Sequence, residues 1–202
     1  DGARGWLQVR GLMFKRSIKW RFTIPFTVII IAVTAVLTTY LTSRYTRAYY
    51  DDTRLVLTSE AELMVAEIES YANGNLDDEV LQKIADRYAE NLSARVTIIS
   101  PAGKVVAETE VNPETMVNHL NRPEVQQVVN GQSGYNIRYS TTLKTQMIYV
   151  AVGLRRGGQL ESIVRLAKPL SVVEPRVKEI RQTMIFGGIA AVLAAFAATF
   201  IA

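Results

Sequence analysis

Apolar residues fall along this chain in several rhythms, and each predicts an element. From Phe22 to Leu41, FTIPFTVIIIAVTAVLTTYL, no charge interrupts about 20 residues, enough helix to cross ~30 Å of hydrocarbon. A run apolar on every face predicts a membrane span, and it exceeds the ~7–15 residues of a signal-peptide core. From Ser43 to Tyr71 there is no proline or glycine, and Glu60, Glu62, Glu67 and Glu69 mix with Leu55, Leu63, Met64, Val65 and Ile68. This predicts a helix continuing out of the membrane, stopped at Asn73-Gly74-Asn75. Its apolar positions are too irregular for a long heptad seam. They fit packing on its own domain, pairing with a second copy, or both along different stretches.

The next segment, LDDEVLQKIADRYAENLSA, spaces Val80, Leu81, Ile84, Ala85, Tyr88 and Leu92 at the helical period, with Asp77 or Asp78 as cap. Then the period shortens. RVTIIS and VVAE flank the turn PAGK, which predicts a hairpin. A loop follows, then a short helix from near Pro123 to Asn130-Gly131, and three strands: YNIRYS, MIYVAVGL and SIVRLAKPL. The middle strand is apolar on both faces, while Arg138 and Arg165 alternate with apolar neighbours on the outer two. The fold class is α+β: a five-stranded antiparallel sheet with helices on one face. A helix from Ser171 leads into MIFGGIAAVLAAFAATFIA, uncharged over roughly 19 residues and predicting a second span. The expected division is 1–21 basic lead, 22–41 first span, 42–183 outer domain and 184–202 second span, cut short before a polar exit.

Charge adds orientation. Arg4, Arg10, Lys15, Arg16, Lys19 and Arg21 precede the first span against the single acid Asp1, which predicts a cytoplasmic N-terminus and an extracytoplasmic middle domain. Residues 1–12 precede Met13 and are set aside from the fold. The segment 42–183 carries 17 basic and 18 acidic residues, so no basic stripe supports a nucleic-acid partner. With no cysteine, the domain folds without disulfides.

The C-terminal half of the domain carries a more specific pattern. RPEVQQVVNGQSGYNIRYSTTLKTQMIYVAV, Arg122 to Val152, and IVRLAKPL, Ile163 to Leu170, resemble the extracytoplasmic PAS-like (Cache-like) sensor domain of phosphate-regulon-type sensor histidine kinases. SPAGKVVAET resembles a hairpin of the same domains, with Ser100 where the family often has Asp. The resemblance covers roughly Arg95 to Leu170, and the helical parts only by layout. It implies a homodimer and, after the second span, a relay domain, a phospho-accepting histidine and an ATP- and Mg-binding domain that phosphorylates a response regulator. No cofactor is expected within this chain. Its one histidine, His119, falls on the outer side.

The resemblance also puts Arg138, Tyr139, Tyr149 and Arg165 on the ligand-facing sheet, where two arginines can clamp a carboxylate or phosphate. The plainer alternative is that the arginines pair with domain acids and the tyrosines are core. His119 reads as a surface-loop histidine, and no metal set surrounds it in the sequence. Asp51 and Asp52, beside Arg47 and Arg54, read as a solvated helix face. Gly187, Gly188, Ala191 and Ala195 make a small-residue face suited to close helix packing in a bilayer. Pro25 reads as a first-turn proline. No nucleophile–base pattern supports catalysis outside the membrane.

The expected function is the sensory and transmembrane part of a two-component histidine kinase in the bacterial cytoplasmic membrane. Its partners would be the bilayer, a second copy, and a small anionic ligand or an envelope protein. A chemotaxis transducer or cyclase with the same module remains open, as does a two-span interaction protein without enzyme activity.

Overall fold

The computed structural model describes residues 18–71, 77–141, 143–172 and 174–201. The basic lead before Ile18 and the Asn73-Gly74-Asn75 stop lie outside the described residues. The chain divides into two compact units, one over Ser43–Lys178 and one from the segments up to 42 and from 179.

A stretch of 53 residues without glycine, with Pro25 as its one proline, forms α1, Ile18–Ser70. It starts earlier than the sequence suggests, so Pro25 lies inside the helix rather than in its first turn. There it removes one backbone donor from the ladder. A window of 18 residues within Thr23–Ser70 has mean hydropathy 2.2 and none of it is buried, so α1 is long and apolar enough to cross a membrane. The part of α1 up to Thr42 shares a unit with α4, Glu174–Ile201, from Glu179 onward. Gly188 sits against Thr34 of α1, whose methyl would lie 2.7 Å from an added Cβ.

In the Ser43–Lys178 unit, α1 buries Leu57, Ala61, Met64 and Ile68, spaced on one helical face. They share a core with Leu81, Ile84 and Ala85 of α2, Asp78–Leu92. Asp77 holds the N-cap position of α2, but its side chain makes no capping hydrogen bond. The sheet beneath contains β1 (Arg95–Ile99), β2 (Val105–Glu108), β3 (Gly134–Ser140), β4 (Thr145–Arg156) and β5 (Gln159–Pro169). Its order is β2-β1-β5-β4-β3 and every neighbour is antiparallel.

Side-chain alternation sorts this sheet into two faces. Val96, Ile98, Ile148, Val150, Val164 and Leu166 meet α1 and α2. The opposite face is where the architecture departs from helices on one side. Ile99, Ala151 and Ile163 there pack with Val125 and Val128 of α3, Pro123–Val129. A seven-residue helix covers only part of that face, and the rest carries arginines around the small cluster Met147, Tyr149 and Ala167.

Candidate functional site

The face not covered by α1 and α2 presents Arg95 and Thr97 from β1, Arg138 and Ser140 from β3, Tyr149 from β4 and Arg165 from β5. Register brings them together: Thr97 lies opposite Arg165, Arg138 opposite Met147, and Tyr149 opposite Ala167. With residues between Val111 and Arg122, all of these but Thr97 line a cavity of about 220 Å³. Arg95, Arg122, Arg138 and Arg165 all line it, with His119, Ser140, Thr141 and Tyr149.

Two tight approaches hold this arrangement. A Cβ on Gly134 would strike the Glu124 carbonyl, so only glycine lets β3 start against the first turn of α3. Gly103 closes the β1–β2 turn at φ +84°, a conformation L side chains rarely adopt. The turn then seats the loop: Asn118 Nδ2 donates to the Ala102 carbonyl at 2.7 Å and His119 N–H donates to Gly103 O at 2.8 Å.

Buried ions cost heavily unless they are paired and hydrogen-bonded, and the wall of the cavity shows how that cost is met. Arg95 Nε donates to Glu108 Oε1 at 2.8 Å, and the other Glu108 oxygen accepts from Thr97 Oγ1 at 2.8 Å. Glu124, fully buried, takes Arg138 at 2.9 Å and Arg165 at 3.5 Å on a single oxygen. Arg165 also donates to Thr97 Oγ1 at 2.9 Å. The Arg138 and Arg165 guanidinium carbons lie 4.0 and 5.3 Å from the centroid of the Tyr149 ring, so one aromatic face steadies both cations. Arg95 Nη2, Arg138 Nε and Arg165 Nε have no hydrogen-bond partner.

The electrostatics follow from burial. Desolvation pulls the Arg165 guanidinium down to about 10, against the opposing pull of Glu124, and it stays protonated at neutral pH. Burial alone would raise the Glu124 carboxyl. The hydrogen bond from Arg138, with the charges of Arg138 and Arg165, outweighs it and holds the group below its ordinary value. His119 is pushed down to about 4, first by burial and then by the Arg165 charge. It is therefore neutral, and its Nδ1 lies 2.7 Å from the Val117 carbonyl. A carbonyl only accepts, so the proton sits on Nδ1 and Nε2 keeps its lone pair.

Of the four residues expected at the site, Arg138, Tyr149 and Arg165 line the cavity, and both arginines also pair with a domain acid. Tyr139 does not join them: it follows Arg138 on one strand, points to the other face and is 51% exposed. His119 is no surface residue but 3% exposed, because the hairpin turn holds its loop down. Arg95 and Arg122 were not singled out in the sequence. The alternation of Arg95 and Thr97 with Val96 and Ile98 was a legible sign for the first, whereas nothing local marks the second. Asp51 and Asp52 are exposed on α1. Along α4, Gly188 faces Thr34, Gly187 has open space and Ala191 is exposed, while the Ala195 side chain lies outside the described part.

No protein-family model matches the sequence, and no curated protein matches it. Solved structures do. The isoleucine-bound sensory domain of the Campylobacter jejuni chemoreceptor Tlp3 matches with TM-score 0.53 and 14% identity over 77% of this chain and 65% of that one. Its L-valine complex gives 0.53 and 14% over 77% and 66%. The sensor domain of the V. cholerae histidine kinase DctB gives 0.56 and 12% over 75% and 60%. This chain thus spans less than two thirds of each of these three. At such identities the likeness is one of fold, and that fold is the Cache-like fold of extracytoplasmic sensor domains from chemoreceptors and histidine kinases.

Proposed function

We propose that this chain is the sensory and membrane-anchoring part of a bacterial two-component sensor histidine kinase of the phosphate-regulon type. The observation that carries the reading is an arginine-lined cavity on the open sheet face of a sensor fold, in a chain that also holds a helix with an apolar run of spanning length. On this reading 1–21 is cytoplasmic, 22–41 and 184–202 cross the membrane, and 42–183 faces outward. Arg138, Tyr149 and Arg165 contact a small anionic ligand. Gly187, Gly188, Ala191 and Ala195 pack helices in the bilayer, within one chain or across a homodimer. Ligand binding shifts the outer domain between two states and moves the second span, biasing a cytoplasmic ATP- and Mg-dependent autokinase that serves a response regulator.

The test is made on the natural gene product in membranes. Its intact mass is expected well above the 22.5 kDa of this chain, with acid-labile phosphate appearing on a histidine when ATP is added. A larger product that gains no phosphohistidine but is methylated on its cytoplasmic glutamates would replace the kinase with a chemotaxis transducer. That second reading is favoured by one observation, the fold shared with the Tlp3 chemoreceptor. A product of this chain's own mass would leave a two-span interaction protein.

A further inference from the structure

The cavity lining is unusual in what it lacks: it contains four arginines and no aspartate or glutamate. We propose that the site takes a small dianion bearing no ammonium group, either a phosphate-like oxyanion or a short dicarboxylate, and discriminates against zwitterionic amino acids. This rests on the sensory reading and specifies its ligand.

Charge argues for the dianion. Three of the four guanidiniums, those of Arg95, Arg138 and Arg165, touch two carboxylates, Glu108 and Glu124, neither of which lines the cavity, which leaves two positive charges unmatched within the network. His119, neutral, adds none. A monoanion would leave one of these guanidiniums uncompensated in a desolvated wall, which is costly. Arg122 lines the cavity and pairs with no carboxylate among the described residues. Donor geometry agrees. Arg95 Nη2 and Arg165 Nε, on side chains 4% and 2% exposed, lack partners. Ser140 Oγ accepts from Leu143 N–H at 3.1 Å, so its own hydrogen remains to donate. The wall is rich in donors for oxygen and offers no carboxylate to an ammonium.

Size bounds the ligand. A cavity of about 220 Å³ holds roughly seven waters at ~30 Å³ each, so the ligand has on the order of ten heavy atoms or fewer. Isoleucine and L-valine, held in the Tlp3 structures, would fit by volume. Their exclusion here comes from charge.

The experiment is calorimetric titration of the whole chain in nanodiscs at pH 7.5 and low ionic strength, with inorganic phosphate, malonate, propionate and L-valine. Malonate or phosphate is expected to bind about tenfold or more tighter than propionate and L-valine, the scale of one lost charge-assisted contact. Malonate above phosphate identifies two separated carboxylates, and the reverse order a compact oxyanion. Arg122→Gln, which breaks no ion pair, should weaken the preferred dianion about tenfold while leaving the ligand-free Tm unchanged. Propionate or L-valine binding as tightly as either dianion overturns the dianion while leaving the sensory reading intact. Dianion binding indifferent to Arg122→Gln overturns the site. Should none of the four bind, the proposal falls, and the sensory reading falls with it only if the phosphorylation assay also fails.

Discussion

His119 through its burial, and Glu124 through its arginine partners, make the cavity wall sensitive to acid. The folded state holds His119 down to about 4, so between there and its unfolded value near 6.5 the unfolded chain binds more protons. Stability therefore falls as pH drops through that window, with a slope approaching ~1.4 kcal/mol per pH unit. From pH 6.5 to 4.5 the loss should be about 2 kcal/mol, and urea unfolding of His119→Gln should remove that part of the slope. An unchanged slope would mean that His119 is solvated in solution. Glu124 has the same sign further down: its lowered carboxyl stabilises above its unfolded value and ceases to as acid protonates it. Glu124→Gln leaves Arg138 and Arg165 facing each other without a counter-charge and should cost about 3–5 kcal/mol by urea unfolding at pH 7. Saturating malonate should recover part of that loss if a dianion takes over as counter-ion. These residues were poorly legible in the sequence. A lone histidine between polar loop residues carries no mark of burial. The convergence of Arg95, Arg122, Arg138 and Arg165 depends on strand register across 70 positions of chain. The one avoidable error was Tyr139, because strand alternation alone forbids it from sharing a face with Arg138.

At the scale of elements, most of the fold could be read directly. The switch from helical to alternating spacing near Arg95 marks the sheet, and Pro123 with Asn130-Gly131 brackets α3 to within a residue. The side of the sheet that α3 would cover was not legible. Seven residues bear too short an apolar stripe to choose a face, and the choice rests on the close approach at Gly134, which no periodicity marks. Gly134→Ala is the corresponding test: the added methyl meets the Glu124 backbone, so α3 must lift from β3. Overpacking against backbone should cost about 1–3 kcal/mol, read as a lower urea midpoint, and should weaken malonate binding because Glu124 carries two of the cavity's arginines. A midpoint equal to the parent's would show that the α3–β3 contact yields without cost.

For the whole molecule, the question is how an occupied cavity would be felt elsewhere, and the chain path suggests the route. β5 is an interior strand, paired with β1 on one side and β4 on the other, and it presents Arg165 and Ala167 on the cavity face. It ends at Pro169, passes through the 3-10 turn Leu170–Val172, and α4 begins at Glu174. A ligand that draws Arg165 away from Glu124 therefore pulls on a strand whose next regular helix leads into the uncharged C-terminal run. α1 offers a second path, since its residues Leu57 to Ile68 pack against the other face of the same sheet. Replacing Val177–Glu179 with a flexible glycine-serine insert separates the two, because each glycine costs a helix about 1 kcal/mol and breaks its rigidity. On the kinase reading proposed above, malonate-dependent autophosphorylation of the natural gene product should vanish in this variant while malonate affinity stays within about twofold of the parent, the binding wall being untouched. Output that still follows malonate would move the signal path to α1. A loss of affinity along with output would mean instead that residues 177–179 help to hold the cavity wall.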